Sequence, residues 1–363
     1  INKGLSLKRL YKYELAKKNL LKALKLDPKN VDALCNIAGV YNDQNQIKLA
    51  EDNYLEALKY NRNSPEANYG LAYIYLGNLN FEKGWKFFEW RFLNKKTNIK
   101  YLKTSKKEWD GNLKIKKLFV WTEQGIGDQI MFGSILKDLE SLPLKITVSV
   151  DKKILKLFQR SFKRLNFIYD LNKINIKDYD EHISLVSLAK FYRKSINDFN
   201  NKSKSYLIDD KAITKKIITK KNIKKFTCGI SWKSINTDIG LDKSIPIKMF
   251  EPIFNLKNLE FINLQYGDIA SESSYVKNKF NIDFLRYSNI DLFDDIEGLS
   301  SLIKSCDVVI TSSNSTAHLA GALGINTFLL IPKSRGKLWY WTAIDGKSYW
   351  YESIKIFQQI ETN

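Results

Sequence analysis

Residues 117–128 read KLFVWTEQGIGD. Lys117–Thr122 is a short apolar run rich in aromatic and branched side chains, preceded by the polar stretch that ends at Trp109-Asp110-Gly111-Asn112. That pattern predicts a strand. Gly125 and Gly127 then punctuate the chain, and a helical pattern follows over Asp128–Glu140. A strand that turns through glycines into a helix is the unit of a parallel α/β sheet. Glycines at such a turn let the backbone approach a ligand, and the new helix offers free N–H groups. The dinucleotide fingerprint is incomplete, because Ile130 follows Gln129 where a third glycine is needed. Asp128 stands at or near the helix N-terminus. There it either caps the helix, a contribution of about 1 kcal/mol, or faces a cleft and accepts a proton.

Downstream the alternation continues. Lys145–Val150, His182–Leu188, Phe226–Trp232, Leu259–Leu264, Asp307–Thr311 and Thr327–Ile331 read as further strands. Helical patterns follow at Ile247–Phe254, Leu299–Ser305 and Ser315–Leu323. The Lys- and Ile-rich break at Ile208–Lys225 reads as a linker or a helix joining two α/β lobes near residue 222. A cleft between two such lobes is a standard place for a ligand.

Upstream the chain repeats with a period of 34 residues, over 31–64 and 65–98. Leu34, Ile37, Ala38, Tyr41, Ala50, Tyr54 and Ala57 fall at the consensus positions of the tetratricopeptide repeat. Leu71, Ala72, Tyr75, Gly84, Phe88 and Arg91 occupy columns of the next copy. Gly4, Leu7, Ala16, Leu20, Ala23 and Pro28 occupy those of the copy before. Small residues let two antiparallel helices approach, and large ones fill the gaps. On this register the first repeat is truncated, so the chain reads as a piece of a longer array. A generic helical hairpin domain is the alternative. Residues 95–118 break the pattern, and the boundary falls near residue 104.

At 363 residues the chain is long enough for two or three domains. Its formal charge is +20, but only eight of its 59 cationic side chains are Arg. Phosphate readers lean on Arg forks. The lysines are also spread along the whole chain, which favours a solvated surface over a specific nucleic-acid partner. The charge also allows peripheral contact with an anionic membrane. No apolar run approaches a membrane span, and no signal-peptide pattern is seen. Three scattered cysteines (Cys35, Cys228, Cys306) argue against a disulfide framework and for a reducing, cytoplasmic setting. With His182 and His318 as the sole histidines, no zinc cluster can be drawn.

Other turns carry polar groups. Ser312, Ser313, Asn314, Ser315 and Thr316 crowd a strand end and a helix start, an arrangement suited to a diphosphate. A plain N-cap needs one or two such residues. His318, one turn further on, either meets the same anion or is a buried structural histidine. Ser231, Lys233 and Ser234 follow strand Phe226–Ile230, where a lysine can neutralise phosphate. Gln265 either bonds a base or sugar, or is a turn residue. Asp178-Tyr179-Asp180 resembles a metal-binding DxD but precedes a strand, and reads as a polar loop. Trp339, Tyr340, Trp341, Tyr349, Trp350 and Tyr351 either stack on a sugar or base or form core.

Taken together, these residues resemble a known group. Phe81-Glu82-Lys83-Gly84-Trp85 through Glu89-Trp90-Arg91 is similar to the last repeat of bacterial tetratricopeptide proteins fused to a glycosyltransferase. Trp109-Asp110-Gly111, Trp121 to Asp128, Asn263-Leu264-Gln265, Ser315 to Gly324, and Trp339 to Trp341 continue the match, and Trp350 carries it almost to the end. The catalytic part resembles glycosyltransferase family 9, the heptosyltransferase-like group. The resemblance implies a tetratricopeptide solenoid over 1–98 followed by a GT-B fold of two Rossmann-like lobes. The acceptor lobe would be 105–222, and the nucleotide-sugar lobe with the tail 223–363. It implies metal-independent inverting transfer without a cofactor. Asp128 would be the general base. Gly125, Gly127, Ser231, Lys233, Ser234, Gln265, Ser312 to Ser315 and His318 would hold the nucleotide-diphospho-sugar. The acceptor would be a saccharide or protein, with a protein partner on the repeats. Many relatives carry Asp-Thr where this chain has Ser313-Asn314. That departure keeps a second expectation open, a non-catalytic tetratricopeptide scaffold.

Overall fold

A computed structural model describes residues 1–199, 205–219, 221, 225–236 and 238–360. The expected lobe limit at 222–223 lies outside the described residues. Three helical hairpins open the chain: α1 (Asn2–Arg9) with α2 (Tyr13–Leu26), α3 (Val31–Asp43) with α4 (Ile47–Tyr60), and α5 (Pro65–Gly77) with α6 (Phe81–Phe88). Tyr11, Asn45 and Leu79, spaced 34 residues apart, each turn a hairpin in the left-handed region, at φ 60, 58 and 60°. Asn30 and Ser64, also 34 apart, cap α3 and α5 through side-chain oxygens that accept from Ala33 N and Ala67 N. Gly70 is needed because a Cβ there would collide with the ring of Tyr54.

The α/β part holds two sheets. The first is β1 (Lys117–Trp121), β2 (Lys145–Ser149), β3 (Asn166–Ile168) and β4 (Glu181–Ser184), all parallel in the order β3-β2-β1-β4. The second contains β5 (Phe226–Ser231), β6 (Leu259–Asn263), β7 (Val308–Ser312), β8 (Thr327–Ile331), β9 (Ala343–Ile344), β10 (Lys347–Ser348) and β11 (Ile354–Gln358). Its order is β6-β5-β7-β8-β11-β10-β9; the strands from β6 to β11 run parallel, and the short β10 pairs antiparallel with both β11 and β9. Two Rossmann-like lobes facing across a cleft are the GT-B arrangement.

Local departures from the sequence pattern have local causes. The strand expected over His182–Leu188 ends at Ser184, whose hydroxyl turns back to Val186 N, and a 3-10 turn follows at Val186–Leu188. The helix expected over Asp128–Glu140 is two: α7 (Ile126–Gly133) and Leu136–Leu139. Ile247–Phe254 is half 3-10, because Pro252 has no N–H to continue an α-helical ladder. β3 and β9 to β11 are additional to the strands read from sequence.

The main core is continuous across all three parts, from Ala72, Phe81 and Trp85 through Val120 and Phe132 to Leu329 and Trp350. Trp85 Nε1 donates to Arg193 O at 2.6 Å, and its ring lies 5.4 Å from that of Trp339. Phe81 packs on Phe199 and Tyr349, at 4.9 and 5.6 Å. The last repeat therefore packs against both lobes. Among the described residues no helix is long and apolar enough to cross a membrane.

Candidate functional site

α7 begins where β1 leaves its sheet, with Gly125 as N-cap. Helix Ser315–Ala322 begins the same way after β7, with Asn314 as N-cap. The two helices meet across the cleft. They line a cavity of about 590 Å³. Gly125, Gly127, Asp128, Ser234, Ser313, Asn314, Ser315 and His318 line it, with Lys153, Lys243, Tyr266, Phe293 and Tyr340.

Asp128 sits in the first turn of α7. Its carboxylate lies beside the amides of Gly125 and of Asp128 itself, makes no side-chain cap hydrogen bond, and faces the cavity. Burial and the nearby Glu123 charge push its pKa up to about 6, against the pull of Lys243 and the two amides. Lys243 is only 8% exposed, at the end of helix Gly240–Lys243. Burial lowers its pKa, and Asp128 works against that shift. His318 is buried, and burial followed by the Lys243 charge pushes its pKa down to about 3. The imidazole is therefore neutral at physiological pH.

Glu123, five residues before Asp128, is a buried carboxylate. Arg91 of the repeat segment, fully buried, reaches it through Nε at 3.1 Å and Nη2 at 2.9 Å. Ser184 Oγ donates to the same carboxylate at 2.7 Å. Burial raises the Glu123 pKa, opposed by Arg91 and Ser184.

Four of the expected site residues do not line the cavity. Ser231, Gln265 and Ser312 are buried. Gln265 Oε1 accepts from Ser231 Oγ, Trp232 N and Lys233 N at 3.2, 2.9 and 2.7 Å, joining the ends of β5 and β6. Asn314 Nδ2 donates to Ser231 Oγ at 2.8 Å, which ties β5 to the cap of the 315–322 helix. Lys233 is partly exposed and pairs with Glu272. The buried cation of the cleft is Lys243, which sequence reasoning missed: one lysine among 51 carries no local signal of burial.

The five polar residues at 312–316 divide their work. Asn314 Oδ1 caps Thr316 N at 3.0 Å, and Ser313 Oγ accepts from Trp341 Nε1 at 2.9 Å. Ser315 is half-buried in the cavity wall. Asp180 Oδ2 accepts from Lys116 N and Lys117 N at 2.9 and 2.8 Å, and so anchors the start of β1. Of the aromatic tail, Trp339, Trp341, Tyr349, Trp350 and Tyr351 are core, and Tyr340 reaches the cavity. Among the described residues no group of three His, Cys, Asp or Glu is placed to hold a metal.

A second cavity, of about 610 Å³, shares Tyr73, Asn236, Ile239 and Leu338 with the first. It runs towards the inner face of the hairpins, where Lys8, Arg9, Asn42, Asn45 and Asn78 line it.

A model of the tetratricopeptide repeat matches residues 1–30 and 31–64. The N-terminal segment is a tetratricopeptide array. Its third hairpin, α5 with α6, extends the array to the α/β part. The chain is similar to the protein FlbA of Caulobacter vibrioides, 27% identical over 365 residues, covering 92% of this chain. It spans 59% of the length of FlbA. Among solved structures it is similar to a glycosyl transferase family 9 protein of Veillonella parvula. The TM-score is 0.47 at 11% identity, over 68% of this chain and 86% of that one. It is likewise similar to the E. coli ADP-heptose LPS heptosyltransferase II, with TM-score 0.47 and 13% identity, over 68% and 91%.

Proposed function

We propose that this chain is an inverting glycosyltransferase that moves a hexosyl- or heptosyl-type sugar from a nucleotide-diphospho-sugar to an acceptor hydroxyl. The observation that carries this reading is the constellation across the cleft. A carboxylate with a raised pKa, Asp128, faces a buried lysine, Lys243, and the N-terminus of the 315–322 helix.

The acceptor oxygen attacks the anomeric carbon as Asp128 takes its proton. The bond from that carbon to the diphosphate oxygen breaks, and the oxygen leaves with the electron pair. Lys243, the Ser315 hydroxyl and the helix N-terminus face the charge that develops there. One base and one in-line displacement invert the anomeric centre. The charge is met by these side chains and amides, which supports transfer without a metal. The lobe after 223 takes the donor, and the lobe over 105–222 with the second cavity takes the acceptor. The tetratricopeptide segment over 1–98 recruits a saccharide or protein acceptor or partner, as stacked repeats do on concave surfaces. The site of action is the cytoplasm or the inner face of its membrane.

A thermal-shift screen tests this with UDP-, GDP-, ADP- and dTDP-sugars, and a CMP-sugar as the monophosphate comparison. A ligand at 100 times its Kd adds about 2.7 kcal/mol of stability. A shift that disappears in Lys243→Met and Ser315→Ala supports the reading. No shift with any of them turns the assignment to a repeat scaffold.

A further inference from the structure

The turn that carries Asp128 is held by side chains. Among the described residues the backbone of Glu123 makes no hydrogen bond to another backbone group, and Gly125 gives α7 no side-chain cap. Two side-chain ties do the holding. One comes from α7 itself: Gln129 Nε2 donates to Gln124 O at 2.9 Å, while Gln129 Oε1 accepts from Asp151 N at 2.8 Å. The other is the Glu123 carboxylate, and its main partner comes from outside the lobe. Arg91 lies just after α6, in a 3-10 turn at Glu89–Phe92. Its Nε and Nη2 both donate to Glu123 Oε1. Its Nη1 donates to Phe88 O at 3.2 Å and to Glu89 Oε1 at 2.8 Å, which ties the guanidinium to the repeat segment. Nη2 also reaches Ser184 Oγ and Ser187 Oγ at 3.1 and 2.8 Å, just past the end of β4.

The pair is out of water, with side chains 0 and 2% exposed. The ring of Phe92 lies against the guanidinium, 4.0 Å from centroid to carbon, and leaves it no room to swing. An arginine held on every nitrogen fixes geometry as well as charge. From Glu123 the constraint passes along a short path. A Cβ on Gly125 would lie 3.8 Å from Asp128 Oδ2, an ordinary contact distance, so the Asp128 carboxylate rests against the turn. We propose that Arg91 is a positioning residue of the transfer site: the last repeat holds Glu123, Glu123 holds the turn at Gly125, and that turn aims the Asp128 carboxylate into the cleft. The repeat segment is then part of the catalytic unit as well as a recruiting surface. The role of Asp128 as base rests on the transferase reading; the clamp on its turn does not.

Removing Arg91 alone strands a buried carboxylate, so the decisive variant combines Arg91→Met with Glu123→Gln and takes both charges out together. Hydrogen–deuterium exchange of the full chain reads the clamp with no ligand present. Exchange over residues 122–133 should rise about tenfold in the double variant, and should stay within about twofold of wild type over β2 and β5 to β8. Unchanged exchange over 122–133 overturns the proposal. A rise spread evenly over the chain also overturns it, because that is the mark of lost stability alone.

Initial rates of nucleoside diphosphate release from UDP-, GDP- and ADP-glucose, with water as acceptor, supply the second readout. With a donor that the wild type consumes, kcat of the double variant should fall about 20-fold or more while KM stays within about twofold, since a displaced base loses rate without losing donor contacts. A kcat within about threefold of wild type overturns the proposal. Glu123→Gln alone keeps an oxygen for Arg91 but removes a negative charge beside Asp128, so the acid limb of its rate profile should move to lower pH. The other titratable side chains around Asp128 are untouched by this change: Lys153 of its own lobe, Lys243, Tyr266, His318 and Tyr340 of the second, and Tyr73 of the repeats. An unmoved limb breaks the link from Glu123 to Asp128 and overturns the proposal as well. If the wild type releases no nucleotide from any of the three donors, it is the transferase reading that fails, and the exchange result decides the clamp by itself.

Discussion

Gly127 and His318, one from each lobe, touch across the cleft: a Cβ placed on Gly127 would lie 3.1 Å from His318 Cδ2. That distance is tight but can be met by a shift of a few tenths of an ångström. Gly127→Ala gains helix propensity of about 0.5–1 kcal/mol and loses a similar amount to crowding. Its melting temperature should therefore stay near wild type while turnover falls about 5- to 10-fold, because the site geometry is disturbed. Gly127→Val should lose stability as well. Paired melting curves and initial rates separate the two effects.

Asp128→Asn should abolish transfer while donor affinity stays within a few-fold. In the wild type, a carboxylate raised to about 6 is protonated below that pH and active as a base above it. The rate should therefore rise with pH up to about 6 and fall about tenfold per unit below it. A flat profile between pH 5 and 7.5 removes Asp128 from the base role.

The same raised pKa has a stability consequence of the opposite sense. The folded state holds the proton more tightly than the unfolded chain, so stability is lost as pH rises from about 4, the ordinary value, through about 6. Asp128→Asn should be more stable than wild type at pH 7.5, by about 1–3 kcal/mol, and equal to it at pH 4. Urea unfolding at the two pH values measures this.

Lys243→Met should raise the donor KM or lower turnover at least tenfold, while Lys233→Met should change either less than twofold. Lys243 is buried beside Asp128, and Lys233 is partly exposed against Glu272. Equal effects from the two lysines would contradict this assignment of the cleft cation.

Arg91→Met leaves the buried Glu123 without its ion-pair partner, at a cost of about 3–5 kcal/mol. Arg91→Met with Glu123→Gln should recover most of that loss. Denaturant midpoints of the two variants decide it.

Much of this was readable from the chain, and the rest follows from where side chains point. The repeat is visible because several independent columns recur at 34 residues, and the structure shows the same period in Tyr11, Asn45 and Leu79. The turn at Gly125–Asp128 is visible because strand, glycine and helix signals are adjacent. β11 is harder to see: Lys355 and Phe357 are exposed, alternating with buried Ile354 and Ile356, and its parallel partner β8 is distant in sequence. Within the site, Ser315 and Ser231 look alike as letters. Ser315 opens a helix into the cleft, whereas Ser231 ends a strand with its hydroxyl turned to Gln265 and Asn314. Lys243 is brought to Asp128 only by folding, and no local pattern marks it.

Trp85 and Phe81 have a mechanical consequence. In a two-lobed protein, opening and closing is a hinge motion that needs a free seam between the lobes. Here α6 is driven into that seam, hydrogen-bonded to Arg193 on one side and packed edge-to-face on Trp339 and Tyr349 on the other. It acts as a splint. Changes in lobe angle must carry the solenoid with them, so the distant repeats are in mechanical register with the gape of the cleft.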